Sequence, residues 1–193
     1  YFEGQMGIPV SEGSLYNFNQ EAYENLEPVD GKSKAELAKS DVLHVDETSI
    51  NKNGDRYWLH SASNSRWTYF FPHEKRGTEA MDSIGILPQF CGILCHDHLK
   101  SYYTYSCTHA LCNAHHLREL EGVWEEDNKH RWAKEMKALL EEINRATNDA
   151  GGMLEASESE KYRQRYRVIL QNAEAESPPP DETNRKGKRG QLK

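Results

Sequence analysis

The spacing of apolar residues changes twice along the chain, from a helical period to strand-like runs at Asp41 and back to a helical period after Ala114. Before Asp41, Ser11 and Glu12 stand where a helix cap and first turn belong, opening a helical segment to Leu26, and residues 32–38 carry a second, shorter helical pattern. Val42-Leu43-His44-Val45-Asp46 is a short apolar run, Asn53-Gly54 is a strong two-residue hairpin signal, and residues 56–62 form the returning strand. After the polar turn Ser63-Asn64-Ser65, residues 67–71 supply a third strand, which completes an antiparallel meander. Residues 78–87 read as a helix with Glu79 in its first turn, and residues 92–96 as a continuous apolar strand of the kind buried on both faces. Reached through that crossover, this strand is expected to lie parallel to the first. Ala110-Leu111-Cys112 is a further short apolar element, and a polar helix begins around Ala114. Two long charged helices follow, 131–146 with Trp132, Met136, Leu139, Leu140 and Ile143 on one face, and 155–173 with Tyr162, Tyr166, Ile169 and Leu170; Gly151-Gly152 separates them. The pattern predicts an α/β protein: helical N-terminal segment 1–40, mixed-sheet core 41–128, helical insertion 129–176, and a Pro-rich basic linker 177–193.

Composition narrows this picture. With 193 residues and 36% hydrophobic content the chain can fill one substantial core but hardly two. A net charge of −7 argues against a surface that coats nucleic acid throughout, yet leaves room for a local basic groove. Basic residues gather at the end, where Arg185, Lys186, Lys188, Arg189 and Lys193 follow Ser177-Pro178-Pro179-Pro180; such a linker-like segment suggests a piece of a longer protein. No apolar run approaches the roughly 20 residues a bilayer span needs, and no charged segment followed by an apolar stretch opens the chain, so a cytosolic location is expected. The stretch Gly7-Ile8-Pro9-Val10-Ser11-Glu12-Gly13-Ser14-Leu15 has a turn and a capped helix in the manner of a helix-turn-helix. Ordinary helical hairpins share that turn, and the absence of any basic residue from Tyr1 to Gly31 weighs against DNA reading there.

Cys91, Cys95, Cys107 and Cys112 are too sparse for a disulfide-stapled domain and lack the C-x-x-C spacing of a zinc ribbon, so reduced thiols are expected. Their proximity to His109 and His115 raises a structural zinc site, but small buried thiols on strands are the favoured reading. The sharper chemistry lies in Asp46 and Asp97, each at the end of an apolar run. Burying a lone carboxylate is costly, so each is either paired or at the mouth of the sheet. Two carboxylates at corresponding ends of neighbouring strands suit Mg²⁺, and a pair of such ions about 4 Å apart suits phosphoryl transfer. Taken singly, each Asp reads more simply as a turn cap. The element order, a meander carrying Asp46, then a helix, then a strand ending in Asp97, is that of a ribonuclease H-like fold and tips the balance toward the metal site. His96, His98, His109, His115 and His116 raise a zinc hydrolase as an alternative, but His96 and His98 flank Asp97 at the period of a strand and so face away from it.

The segments Val42-Leu43-His44-Val45-Asp46-Glu47-Thr48, Tyr57-Trp58-Leu59-His60, Cys95-His96-Asp97-His98 with Tyr102-Tyr103, and Leu111-Cys112-Asn113-Ala114-His115-His116-Leu117-Arg118-Glu119-Leu120 resemble, in that order, the insertion sequence sixty-six family of bacterial transposases. The resemblance covers nearly all of the chain. It implies a DDE-type catalytic core with two divalent ions, Mg²⁺ or Mn²⁺, held by Asp46 and Asp97 as the first and second acids. It further implies DNA substrates, namely terminal inverted repeats and target DNA, and a homo-oligomeric active complex. The family's third acid is a glutamate in a motif resembling Asn-Asn-x-Ala-Glu-Arg, and no such motif occurs before Lys193. Either the chain stops inside the insertion, with the third acid beyond Lys193, or Glu119 fills the role. The implied reaction is hydrolysis of a DNA phosphodiester followed by attack of the freed 3′-hydroxyl on target DNA, with Arg76 or the basic tail as candidate phosphate contacts. An inactive DNA-binding or oligomerising remnant is the alternative outside enzymology.

Overall fold

Five strands form one mixed sheet in the order β3-β2-β1-β4-β5: β1 Val42–Lys52, β2 Asp55–Ser63, β3 Thr68–His73, β4 Ile93–His96 and β5 Thr108–Leu111. The structure, a computed structural model, describes residues 2–127 and 130–176. The helices are α1 Phe2–Met6, α2 Glu12–Ala38, α3 Thr78–Ile84, α4 Asn113–Asp127, α5 Arg131–Asp149 and α6 Ala156–Glu176. The chain divides into two compact units, Tyr1–Leu111 and Cys112–Lys193, the first built on the sheet and the second holding α4, α5 and α6.

The predicted meander is present: β1 and β2 pair antiparallel with Lys52 opposite Asp55, and β2 pairs antiparallel with β3. Asn53 and Gly54 turn the first hairpin with φ of 56° and 95°, the left-handed pair that a two-residue turn demands. After the α3 crossover, β4 runs parallel to β1, and β5 runs parallel to β4. β1 is longer than its apolar run suggested. Its polar second half, Glu47 to Lys52, is held in the sheet by pairing with β2. The helix predicted over 78–87 stops at Ile84, because Gly85 adopts φ of 79° and its N–H caps back to Met81; a 3₁₀ turn, Leu87–Gln89, completes the segment.

The two N-terminal helical patterns join into one helix, α2, that runs through Pro28. The break expected between Leu26 and Lys32 does not occur. A proline removes one backbone donor, and along this exposed stretch the carbonyl left over can be hydrated, which makes the interruption tolerable. The linker expected at 177–193 lies outside the described residues. No helix among the described residues is long and apolar enough to cross a membrane.

The core of the first unit lies on one face of the sheet, where Leu43, Val45 and Leu94 meet Leu37 of α2, Met81 and Ile84 of α3, and Ile86, Leu87, Phe90 and Tyr102. Alternation along β1 sends Leu43, Val45 and Glu47 to this face and Val42, His44 and Asp46 to the other. In the second unit Val123 of α4 and Ala133, Met136 and Leu139 of α5 are buried, confirming the amphipathic reading of α5. Lys137 pairs with Glu121 between α4 and α5, and Arg165 forks onto Glu142 at 2.7 Å through both terminal nitrogens between α5 and α6.

Gly92 sets how closely β1 and β4 can begin. A Cβ there would stand 2.5 Å from the Asp41 carbonyl oxygen and 2.6 Å from that of Ser40, both backbone atoms, while Ile93 N–H donates to the same Asp41 oxygen at 2.8 Å. Gly92→Ala is expected to destabilise the protein by about 1–3 kcal/mol, the usual range for forced overpacking, measured by urea unfolding. An unchanged midpoint would show that the two strand starts can part freely.

Candidate active site

The parallel register pairs Val42 with Ile93, Leu43 with Leu94 and His44 with Cys95. Continued by two residues, it brings Asp46 level with Asp97. Asp46 lies on the face away from the core, and a carboxylate oxygen of Asp97 comes within 4.8 Å of one of its own. Asp97 follows the end of β4, as its apolar run indicated, but Asp46 is not at a strand end. β4 stops at His96 while β1 continues to Lys52, and the pair sits where that pairing runs out. The turn-cap reading fails for Asp46, which lies within β1. It holds for Asp97, whose Oδ1 accepts from Leu99 N–H at 3.0 Å as the chain bends at His98, φ 72°. One Asp97 oxygen is spent on the turn; the other, Oδ2, is 3.7 Å from Arg76.

Behind Asp46, on the core face, lies Glu47, whose side chain is 0% exposed. Its Oε1 accepts from Nε and Nη2 of Arg76, each at 2.7 Å, and its Oε2 accepts from the Tyr102 hydroxyl at 2.5 Å. Burial raises the Glu47 carboxyl above the usual range, and these two donors work against that rise. Tyr102, itself buried, has its hydroxyl proton held far more tightly than usual by burial and by the Glu47 charge. Arg76 rests on the Trp58 ring, with its guanidinium carbon 4.8 Å from the ring centroid. Sequence reading noted each of these residues separately and missed the cluster. The available signal was the Asp46-Glu47 pair itself, since two adjacent acids on one strand cannot both face outward.

His96 is turned away from Asp46, as the strand period predicted. His96 is fully buried on the core side, its Nε2 3.1 Å from His109 Nδ1, and His109 Nε2 lies 3.2 Å from the Tyr105 carbonyl oxygen. A carbonyl only accepts, so His109 donates from Nε2 and accepts at Nδ1, and His96 donates from Nε2. His96 Nδ1 is then a bare acceptor, buried with no hydrogen-bond partner among the described residues. His98 is exposed on the bend. The thiols are less buried than expected: Cys91 is exposed, Cys95, Cys107 and Cys112 are half-buried, and Cys95 alone of them lies within a strand. No cysteine belongs to a group of three or more metal-capable side chains among the described residues.

His115, His116, Arg118 and Glu119 lie on α4 in the second unit. Glu119 is 53% exposed with its Oε2 4.0 Å from His116 Nδ1, and Arg118 donates to the Ala114 carbonyl at 3.3 Å.

Strand order and direction define an α/β protein of the ribonuclease H-like class, as the order of elements in the sequence predicted. A profile of the transposase IS66 family matches residues 1–191. The chain belongs to that family, as its motifs implied. Among solved structures it is similar to the HTLV-2 integrase catalytic core domain in complex with magnesium. The dimeric form has 11% identity and a TM-score of 0.31 over 45% of this chain and 73% of that one. The trimeric form has 13% identity and a TM-score of 0.31 over 69% and 82%. A simian T-cell lymphotropic virus intasome in complex with PP2A regulatory subunit B56 gamma has 12% identity and a TM-score of 0.30 over 68% and 47%. At such scores the likeness bears on neither activity nor partners. No curated protein matches the chain.

Two outcomes follow from this cluster. Tyr102→Phe removes one of the donors to a buried carboxylate and is expected to cost about 1.5–3 kcal/mol in urea unfolding, the range for hydrogen bonds to charged groups; a cost near zero would mean that water replaces the hydroxyl. His96 has its proton affinity lowered by burial first and by His109 second. The unfolded chain therefore binds a proton that the folded chain resists, so this site's stability is present above the ordinary value of 6.5 and is lost as pH falls through the lower folded value. The urea midpoint of the protein should drop on acidification below about pH 6.5, and less steeply in His96→Phe. Equal slopes in the two proteins would remove His96 as the cause.

Proposed function

We propose that the chain carries a divalent-metal-dependent DNA cleavage and strand-transfer site, acting on insertion-sequence ends and target DNA, with Asp46 and Asp97 as ligands. The observation that carries this is the carboxylate pair, close together where parallel pairing ends. Hard oxygen donors, few in number and open on one side, fit Mg²⁺ or Mn²⁺, which keep waters and take phosphate oxygens as further ligands. When bound, such cations supply Lewis-acid charge beside a phosphodiester and make water a better nucleophile. Asp46 contributes an exposed carboxylate fixed to a rigid strand, and Asp97 one whose rotamer is set by its bond to Leu99 N–H.

The third acid is either Glu119 or a glutamate outside these 193 residues. Two ions, a homo-oligomer on paired DNA ends and an intracellular location complete the proposal, together with the segmentation into catalytic core and helical insertion.

Titration with Mn²⁺ followed calorimetrically is the test. Asp46→Asn and Asp97→Asn should each weaken binding by more than about tenfold, a loss that disturbing even an outer-shell partner typically causes. Glu119→Gln should do the same only if Glu119 is the third ligand. Mn²⁺-dependent nicking of labelled DNA, lost in Asp46→Ala, would extend the result to chemistry. Unchanged affinity in both aspartate variants would sink the proposal.

A further inference from the structure

We propose that Arg76 is the phosphate-gripping residue of this site, a guanidinium held in place by Glu47, Tyr102 and Trp58 so that its free edge takes a non-bridging oxygen of the DNA backbone beside Asp46 and Asp97. The inference rests on the metal-site reading above and deepens it. An arginine and a carboxylate usually meet as two parallel hydrogen bonds, one to each oxygen. Here both Nε and Nη2 of Arg76 converge on Glu47 Oε1, because Tyr102 occupies Oε2. The guanidinium is thereby turned, and its Nη1 has no hydrogen-bond partner among the described residues. The side chain is 43% exposed.

Its plane and position are both fixed. Trp58 lies against one face at 4.8 Å, and Nη2 is 3.7 Å from Asp97 Oδ2, which puts the cation directly beside the carboxylate pair. The loop that carries it is fastened on both sides: His60 Nε2 bonds the Lys75 carbonyl at 3.0 Å, and a Cβ on Gly77 would already be 3.3 Å from Ser101 Oγ. A planar donor fork, immobilised and half open beside two carboxylates, is preorganised for a phosphate oxygen and has lost its side-chain entropy before DNA arrives. A plain structural partner of Glu47 would need neither the open edge nor the approach to Asp97.

The two roles differ in sign. In a Glu47→Gln background the charge on the buried carboxylate is gone, while the amide oxygen that replaces it still accepts from Tyr102. Adding Arg76→Gln there removes a cation from beside Asp97, so Mn²⁺ should bind as tightly as in Glu47→Gln or more tightly. Binding of a fluorescein-labelled DNA duplex should weaken, and the slope of log affinity against log salt should become shallower by about 0.9, the contribution of one phosphate contact. Arg76→Lys should restore most of the slope. An unchanged slope, or Mn²⁺ and DNA binding weakening together as from lost geometry, overturns the assignment.

A second arm uses the unmodified protein and so does not depend on variants that fold. Arg76 should react with phenylglyoxal and be protected by the duplex, read by peptide mass spectrometry, and absence of protection also overturns it. If the protein binds no Mn²⁺, or binds it indifferently to Asp46→Asn and Asp97→Asn, the metal-site reading fails and this inference falls with it. A normal Mn²⁺ response with an unchanged DNA slope removes Arg76 alone.

Discussion

Two acids in succession on β1 must point to opposite faces of the sheet, and the burial of the second one organises everything around the first. Glu47 faces the core, where an ionised carboxylate is costly unless it is paired and fully hydrogen-bonded. Its donors come from two separate places in the chain, Tyr102 from the turn after β4 and Arg76 from the loop between β3 and α3. Each bond draws one of those segments to the mouth of the sheet. An ion pair with a buried carboxylate adds little net stability, since desolvating that carboxylate offsets most of the attraction. What this one adds is placement: the carboxylate behind Asp46 fixes the two loops that flank Asp97.

The sheet contributes the other half of the arrangement by being uneven. β4 is four residues long and β1 eleven, so parallel pairing ceases while β1 is held straight by β2 alone. Asp46 therefore has the rigidity of a mid-strand residue and the openness of a strand end. Asp97 obtains its rigidity differently, from the bend at His98 and the bond to Leu99 N–H. A pair of carboxylates with fixed backbones and one open side binds a cation with little reorganisation, which is the condition for electrostatic help in a reaction at phosphorus. His96, one residue before Asp97, is turned into the core, where burial favours its neutral form and keeps a competing imidazole away from the site.

Much of this was legible from local pattern. Asn53-Gly54 fixed the first hairpin, the apolar runs found the strands, and the helical crossover made β4 parallel to β1, so the two aspartates align from the sequence alone. The failures have a common cause. The polar half of β1 has no hydrophobic signature and is a strand only because β2 pairs with it. Pro28 reads as a helix breaker because local rules count against it a hydrogen bond that water can replace on an exposed helix. The Glu47 cluster joins residues 47, 76 and 102, and no short window contains it. Thiols taken for buried strand residues are half exposed because three of the four fall in connections.

Net charge then acquires a different meaning from the one that composition gave it. A chain of charge −7 repels DNA on average, and the carboxylates of Asp46, Asp97 and Glu47 concentrate that repulsion at the proposed site, with Arg76 the cation among them. In the proposed reading the repulsion is conditional. Divalent cations on Asp46 and Asp97 reverse the local sign, so metal and DNA bind with positive coupling, and the coupling is reciprocal by linkage. Arg76 sets the balance between the two states: its charge lowers the cation affinity of Asp97 and raises the phosphate affinity of the same spot. Tethering it to Glu47 keeps that charge from closing onto Asp97 itself, which leaves the carboxylate open to a metal and the guanidinium edge open to a phosphate.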